Sequence, residues 1–296
     1  MEGRPGSLTI EVQRLHSRSD RCLYLSSEQR SGYVSKVIKL IGGLGPKQRA
    51  MRIESRLVPT SHMTPFEKVK LCGQEVWVRA DPVSQQGDID IAKGPLLDEY
   101  ELEPIARVGY HVEWVLDIGA FIGTFTMKVK NLWPSANLIA FEPAPDSTQL
   151  YRLNTSRFQN ISFYEAAAVR RGQEGIVTLS YDSFHAARKV KECVAQFGDT
   201  MTAGALVKAL ALLDVLEQHG NPEIAILKMD AEGVEADLLE DLKDAGYLNR
   251  IWWIRGEWHY DLSVSRIQSA LEKTHVCNTA RSVCGGWGPL IAHRKL

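Results

Sequence analysis

Two short runs carry the clearest chemistry. Val115-Leu-Asp-Ile-Gly-Ala-Phe-Ile-Gly-Thr-Phe-Thr126 places Asp117, Gly119 and Gly123 after a short apolar segment. A second apolar segment ends in Ala140-Phe-Glu-Pro143, which puts Glu142 23 residues after Gly119. Glycine at 119 and 123 lets backbone approach a ligand closely, and a carboxylate at 142 can accept both hydroxyls of a ribose. The pair implies an adenosine-containing ligand. A dinucleotide site needs glycine where Phe121 and Thr124 stand, because the pyrophosphate passes over bare backbone. No Gly-x-x-x-x-Gly-Lys-[Ser/Thr] occurs either. S-adenosylmethionine has the ribose and adenine but no phosphate. Its cradle would be Gly119, Ala120, Phe121 and Gly123, with Asp117 receiving its ammonium directly or through water. An ordinary strand–glycine–helix turn would explain the first run alone, and Glu142 weighs against it.

A second constellation follows the apolar runs at 224–229 and 251–256. Asp230 and Glu232 stand after the first, Glu257 and His259 after the second. Alternation along Gly256-Glu-Trp-His-Tyr260 puts Glu257 and His259 on one face. Methyl transfer to an aliphatic hydroxyl needs a base for its proton. His259 fits that part, oriented by Glu257 or Asp230, and Asp230 also lies where it can touch the cofactor. No metal is expected, although Asp230, Glu232 and Glu257 offer the oxygen ligands a hard divalent cation takes. Lys228 is expected to pair near Glu232 or Glu235. Trp252, Trp253 and Trp258 cluster in one strand region, where at least one is expected to face the core, with a platform for substrate as the alternative for Trp258. His185 with Arg188, Lys189 and Lys191 reads as a solvated loop, with contact to an anionic substrate as the alternative.

Positioning these groups requires apolar strands alternating with helices. Strands are expected at Trp114–Ile118, Asn137–Phe141, Ile161–Val169, Ile224–Met229 and Ile251–Gly256. Helices are expected at Phe121–Leu132, Asp146–Arg157, Leu206–His219, Val234–Ala245 and Val264–Thr274. Gly175–Tyr181 reads as an extra strand, and two short strands around Gly285–Pro289 as a closing hairpin with an antiparallel edge. The pattern is α/β, a doubly wound, mostly parallel sheet covered on both faces. Upstream, Val69–Ala80 reads as a hairpin turning at Gly73-Gln74, Ser84–Asp90 as a polar loop, and Leu96–Val108 as a helix. Residues 1–92 are thus set apart as an N-terminal extension containing strands, or a small substrate or oligomerisation region, with the cofactor domain over 93–296.

The chain resembles the FkbM-type methyltransferases, a Rossmann-like branch of the class I methyltransferase fold. Five stretches carry the likeness: Asp117-Ile-Gly-Ala-Phe-Ile-Gly, Phe141-Glu-Pro-Ala-Pro with Leu153-Asn154, Ala167-Ala-Val169, Leu213-Asp-Val-Leu, and Leu227-Lys-Met-Asp-Ala-Glu-Gly-Val-Glu235. The last is the most specific. The resemblance covers about residues 113–260. It implies a seven-stranded sheet with its last strand antiparallel, S-adenosylmethionine as cofactor, and a hydroxyl acceptor on a natural product or sugar. The family usually has Asn where this chain has Phe121, so the hold on the cofactor's amino-acid end differs.

Composition narrows the partners. The net charge is −1 in 296 residues, with 44% hydrophobic and 24% charged, which gives no general drive toward nucleic acid or anionic membrane. Residues 1–60 hold 11 Lys/Arg against 5 Asp/Glu, a net +6, which leaves −7 for the rest. Five scattered cysteines without a Cys-x-x-Cys fit free thiols in a reducing cytoplasm. No run reaches the roughly 18 apolar residues of a membrane span. The expectation is a cytoplasmic O-methyltransferase of small-molecule hydroxyls, without membrane or nucleic-acid partner, its self-association left open. The alternatives are an RNA or protein methyltransferase and a non-catalytic adenosyl-ligand-binding module. The absence of an Asn/Asp-Pro-Pro-[Tyr/Phe] signature counts against amide- and base-nitrogen chemistry.

Overall fold

The computed structural model describes residues 65–181, 188–191, 204–280 and 286–296. His185, Cys22, Cys193, Cys284 and most of the segment 1–92 lie outside them. The described part opens with a hairpin, β1 (Phe66–Leu71) and β2 (Gln74–Arg79), followed by helices α1 (Pro82–Leu96) and α2 (Leu102–Arg107). Its turn residues are Cys72 and Gly73, both with positive φ, as a two-residue hairpin loop that follows strand twist requires. The turn therefore lies one residue before the expected Gly73-Gln74.

The central sheet then forms in alternation with helices: β3 (Trp114–Ile118), α3 (Thr124–Leu132), β4 (Asn137–Phe141), α4 (Pro145–Thr155) and β5 (Ile161–Tyr164). A smaller sheet interrupts it, with β6 (Ala167–Val169), β7 (Gly175–Tyr181), β8 (Arg188–Lys191) and β9 (Gly204–Ala211) in the order β6-β9-β7-β8. The main alternation resumes through α5 (Leu212–Gln218), β10 (Ile224–Met229), α6 (Glu235–Asp244), β11 (Ile251–His259), α7 (Asp261–Leu271), β12 (His275–Asn278) and β13 (Trp287–Arg294). The seven-stranded order is β12-β13-β11-β10-β3-β4-β5. Every pairing is parallel except those of β13, which runs against both β11 and β12. This is the doubly wound sheet with one antiparallel strand, although that strand lies inside the edge. β10 is buried at every residue and β3 at all but Trp114, because helices cover both faces.

Four elements differ from expectation. Ser84–Asp90 is helical, inside α1, although its polar composition reads as loop. Asp81 caps that helix through Ser84 N–H at 2.9 Å, with Pro82 following. The inward residue that would have marked an apolar stripe is Asp88, fully buried and accepting from Arg79 N–H at 2.8 Å and Arg79 Nε at 3.0 Å. The helix expected over Leu96–Val108 is broken at 97–101, where Asp98 and Glu101 take φ of 70° and 53°. Asp98 instead caps α2, accepting from Leu102 N–H at 2.9 Å and Glu103 N–H at 3.0 Å. Finally, the first half of the expected helix Leu206–His219 is β9. It pairs with β6 and β7, and Val207 and Ala209 turn inward while Leu206 faces out. Its alanine-rich composition hides that period of two. The single strand expected over Ile161–Val169 likewise divides at Glu165-Ala166 between the two sheets.

Residues 65–92 belong to the same compact unit as the central sheet. Leu71, Val76, Val78, Ala92 and Leu96 pack with Ile122, Met127 and Leu150 in one apolar cluster. Asn154 locks this packing. Its Oδ1 accepts from Trp77 N–H at 2.7 Å, and its Nδ2 donates to Trp77 O at 3.0 Å and Ile122 O at 2.8 Å. Among the described residues no helix is long and apolar enough to cross a membrane. Replacing Asn154 with Ala strands three main-chain polar groups, so we expect chemical denaturation to show a loss of about 2–4 kcal/mol. A loss below about 0.5 kcal/mol, the size of an ordinary surface change, would show that the hairpin is held by apolar contact alone.

Candidate active site

Strand order reverses between β3 and β10, and the crevice beyond their carboxyl ends is where doubly wound sheets bind ligands. The loop after β3 fills one side of it. Gly119 has φ of 77°, and a Cβ there would collide with the carbonyl oxygen of Asp230. Gly119 and Ala120 N–H both donate to Phe141 O, at 3.0 and 2.8 Å. Phe121 takes a left-handed φ of 49°, which aims its N–H at Glu142 Oε2, 2.8 Å away. Glu142 Oε1 accepts from Ala144 N–H at 2.8 Å. Both carboxylate oxygens are thus aimed by main chain at the end of β4. Phe121 packs against the hairpin cluster, 5.8 Å from the Arg79 guanidinium, which pairs with Asp88 and Asp146.

Beneath the loop, Asp117 is wholly buried. Its Oδ2 accepts from Thr126 Oγ1 at 3.0 Å, while its Oδ1 has no hydrogen-bond partner and lies 3.6 Å from Lys228 Nζ. Burial pushes the Asp117 carboxyl up, against the pull of Lys228 and Thr126. Lys228 Nζ donates to Ile118 O at 3.3 Å and also to Gly119 O. It lies 3.9 Å from Asp230. It therefore pairs with Asp117 and Asp230, a correction to the expected Glu232 or Glu235.

The other side of the crevice is acidic. His259 Nδ1 lies 2.8 Å from Glu235 Oε1, and since a carboxylate only accepts, Nδ1 carries the proton. Glu235 is fully buried, and the same oxygen accepts from Ala231 and Gly233 N–H at 3.0 and 3.1 Å. His259 Nε2 then faces Glu232 at 3.6 Å, Glu257 at 3.8 Å and Asp230 at 4.0 Å. Burial disfavours the imidazolium, but the bond to Glu235 and the charges of Glu235, Glu232 and Asp230 outweigh it and raise its pKa to about 9. Burial, followed by the repulsion of Asp230, pushes the Glu257 carboxyl well up. Single ligand atoms of Asp230, Glu232 and His259 lie within 4.8 Å of one another. The trio differs from the Asp230, Glu232 and Glu257 considered from sequence.

A model of the methyltransferase FkbM domain matches residues 117–273, more than half of the chain. The chain belongs to the FkbM methyltransferase family. Methyltransferase 1 of Beauveria bassiana (strain ARSEF 2860) is 27% identical over 207 residues, which cover 62% of this chain and 78% of that protein. The 31-O-demethyl-FK506 methyltransferase FkbM of Streptomyces tacrolimicus is 28% identical over 160 residues, 45% of this chain and 60% of that one. A solved structure of methyltransferase FkbM from Methylobacillus flagellatus KT is 16% identical, covering 72% of this chain and 55% of its own, with a TM-score of 0.39.

Of the residues expected in an FkbM site, the structure gathers Gly119, Ala120, Phe121 and Glu142 on one side of the crevice and Asp230, Glu257 and His259 on the other. Gly123 starts α3, with Tyr151 and Thr155 closing off the space beside it. Asp117 is sealed below, so its reach to a ligand runs through other groups. Trp258 is core, fully buried, with Nε1 donating to Ala280 O at 3.2 Å. The expected orienting partners of His259, Glu257 and Asp230, lie at Nε2, and the Nδ1 partner is Glu235. Glu235 closes the Asp230-Ala-Glu-Gly-Val-Glu run that carried the family likeness, so the signal was present without its role. Tyr100, whose hydroxyl donates to Asp230 Oδ2 at 3.2 Å, was missed entirely.

Glu235→Gln removes the charge that holds the imidazolium. In proton NMR titrations the wild-type His259 ring should titrate near pH 9 and the variant's inflection should fall towards the ordinary 6.5. A folded-state pKa raised in this way adds stability that is complete below about pH 6.5 and is lost as pH rises through about 9. Urea melts across that window should therefore fall for wild type and stay flatter for the variant. Coincident His259 titrations in the two proteins would refute the Glu235 assignment.

Proposed function

We propose that this FkbM-family chain transfers a methyl group from S-adenosylmethionine to a hydroxyl of a small molecule. The observation that carries the cofactor reading is Glu142, both of whose oxygens are aimed by main-chain N–H groups at the end of β4 beside the Gly119–Phe121 loop. The bare Cα of Gly119 lets the main chain of Asp230 close against this loop, which brings the two sides of the crevice together. When bound, S-adenosylmethionine supplies a methyl on a cationic sulfur that leaves as a neutral thioether. Glu142 holds the ribose hydroxyls, and Gly119, Ala120 and Phe121 line the adenosyl side. Asp117 acts from below by holding Lys228 against the loop carbonyls. Positive charge on the ligand suits the carboxylates around Asp230.

The acidic side favours a neutral hydroxyl acceptor over RNA. Asp230 and Glu232, gathered around Nε2 of His259, repel phosphate. The relative from S. tacrolimicus is named for an O-demethylated small molecule, and a natural product or sugar hydroxyl is the acceptor class we assign. His259 is the base. Glu235 fixes the proton on Nδ1, so Nε2 takes the hydroxyl proton as the new C–O bond forms. At neutral pH Nε2 is protonated in the ligand-free site, and positive charge bound beside Asp230 eases that proton off. Glu257, 3.8 Å from Nε2, accepts that proton when ionised, and burial favours the neutral form it then takes. A metal-assisted route would instead enlist Asp230, Glu232 and His259 as ligands, and restoration of chelator-treated enzyme by magnesium would identify it.

Calorimetric titration should show saturable binding of S-adenosylmethionine, weakened about tenfold or more in Glu142→Ala, equivalent to about 1.4 kcal/mol. A folded wild-type protein that binds neither the cofactor nor its demethylated product would sink this reading.

A further inference from the structure

Residues 97–101 stand upstream of the matched family domain, yet they enter the crevice at its acidic side. Asp98 and Glu101 hold left-handed backbone, uncommon for residues that carry a Cβ. Asp98 is tied into the cap of α2 and lies 3.7 Å from Lys128. The Glu99 carboxylate fills the space that a side chain on Gly94 would need. These fixings deliver Tyr100, only 7% exposed, to Asp230. Its ring meets Phe125 edge-on at 5.4 Å and lies 5.8 Å from Lys228 Nζ.

The two oxygens of Asp230 are divided as a result. Oδ2 takes the Tyr100 hydroxyl at 3.2 Å and lies 3.9 Å from Lys228, while Oδ1 faces His259. The main chain of Asp230 is already fixed, since its N–H donates to Ile118 O at 3.1 Å and its carbonyl abuts Gly119. Its side-chain torsion is the remaining freedom, and Tyr100 removes it. We propose that Tyr100 is a positioning residue for the methyl donor: through Asp230, it sets a carboxylate beside the sulfonium end of the cofactor. This rests on the methyltransferase reading above. Burial, reinforced by Asp230 and Glu99, keeps the phenol protonated well beyond its ordinary range, so it stays a donor at working pH.

A sulfonium and a thioether distinguish this role from mere packing, because only the first carries charge for Asp230 to meet. Calorimetry with S-adenosylmethionine and S-adenosylhomocysteine is run on wild type, Tyr100→Phe, Asp230→Asn and the double variant. Tyr100→Phe keeps the ring against Phe125 and loses one hydrogen bond to a charged group. It should weaken S-adenosylmethionine about tenfold and S-adenosylhomocysteine less than about twofold. In the Asp230→Asn background it should have no further effect. Equal weakening of both ligands, an additive double variant or unchanged binding each overturn the positioning role while leaving the cofactor assignment intact. Should Tyr100→Phe fold poorly, Asp230→Asn alone must erase the preference for the sulfonium, or the proposal fails. A wild type that binds neither ligand overturns the methyltransferase reading itself, and this inference with it.

Discussion

The buried ammonium of Lys228 is the constraint on which the crevice depends. It sits between Asp117 and Asp230 and donates to the carbonyls of Ile118 and Gly119. Ile118 O also accepts from Asp230 N–H, but Gly119 O lies past the end of the strand, where the sheet no longer supplies a partner and an acceptor left unpaired away from water costs free energy. One cation thus satisfies the turn of the proposed cofactor cradle and anchors the first acid of the opposite side. Removing it would leave Asp117 as an uncompensated buried charge, a far larger penalty than the loss of a surface pair. The fit of Gly119 against the Asp230 carbonyl follows, because the two loops are drawn over the same group.

Charge then divides the crevice. The β4 side presents Glu142 as an acceptor already oriented by two amides, so little rearrangement is needed to receive hydroxyls. The β10–β11 side gathers carboxylates round one imidazole, and the protein relieves that crowding by binding protons. The raised pKa of His259 expresses that shortage of positive charge, and the raised carboxyl of Glu257 adds it to the effect of burial. A cationic ligand relieves it too, and proton uptake and ligand binding therefore oppose one another at this site.

The parts legible in the sequence were those whose pattern matches their burial. β3, β4 and β10 are short and almost wholly apolar because both faces are covered, and Gly119 and Glu142 sit at fixed offsets from them. Legibility failed where an inward position is polar or where composition and period disagree. Asp88 makes α1 look like a loop because its partner, Arg79, is nine residues away on another element. The alanines of β9 suit a helix until pairing with β6 and β7 imposes a period of two. Tyr100 is invisible for a related reason, since its contact is 130 residues distant and an isolated Glu-Tyr in an acidic stretch has no spacing to betray it. Glu235 was visible as part of a motif, but only the folded loop shows that it serves the histidine.

The segment before the family domain is therefore part of how this site is built. Trp77 is bound on both sides of its peptide by Asn154, which also holds Ile122 in the cradle loop. Arg79 pairs with Asp146 at the start of α4, three residues after the strand end that carries Glu142 passes into Pro143, and its guanidinium lies near the Phe121 ring. Phe121 is a ring that needs an apolar floor, and the hairpin supplies that floor. The ring and the hairpin are parts of one arrangement: a phenylalanine with left-handed backbone is tolerable only when packing holds it there. A polar residue at 121 would disturb the hairpin contact as well as the loop, so position 121 links the Glu142 side of the crevice to residues that the family domain alone does not contain.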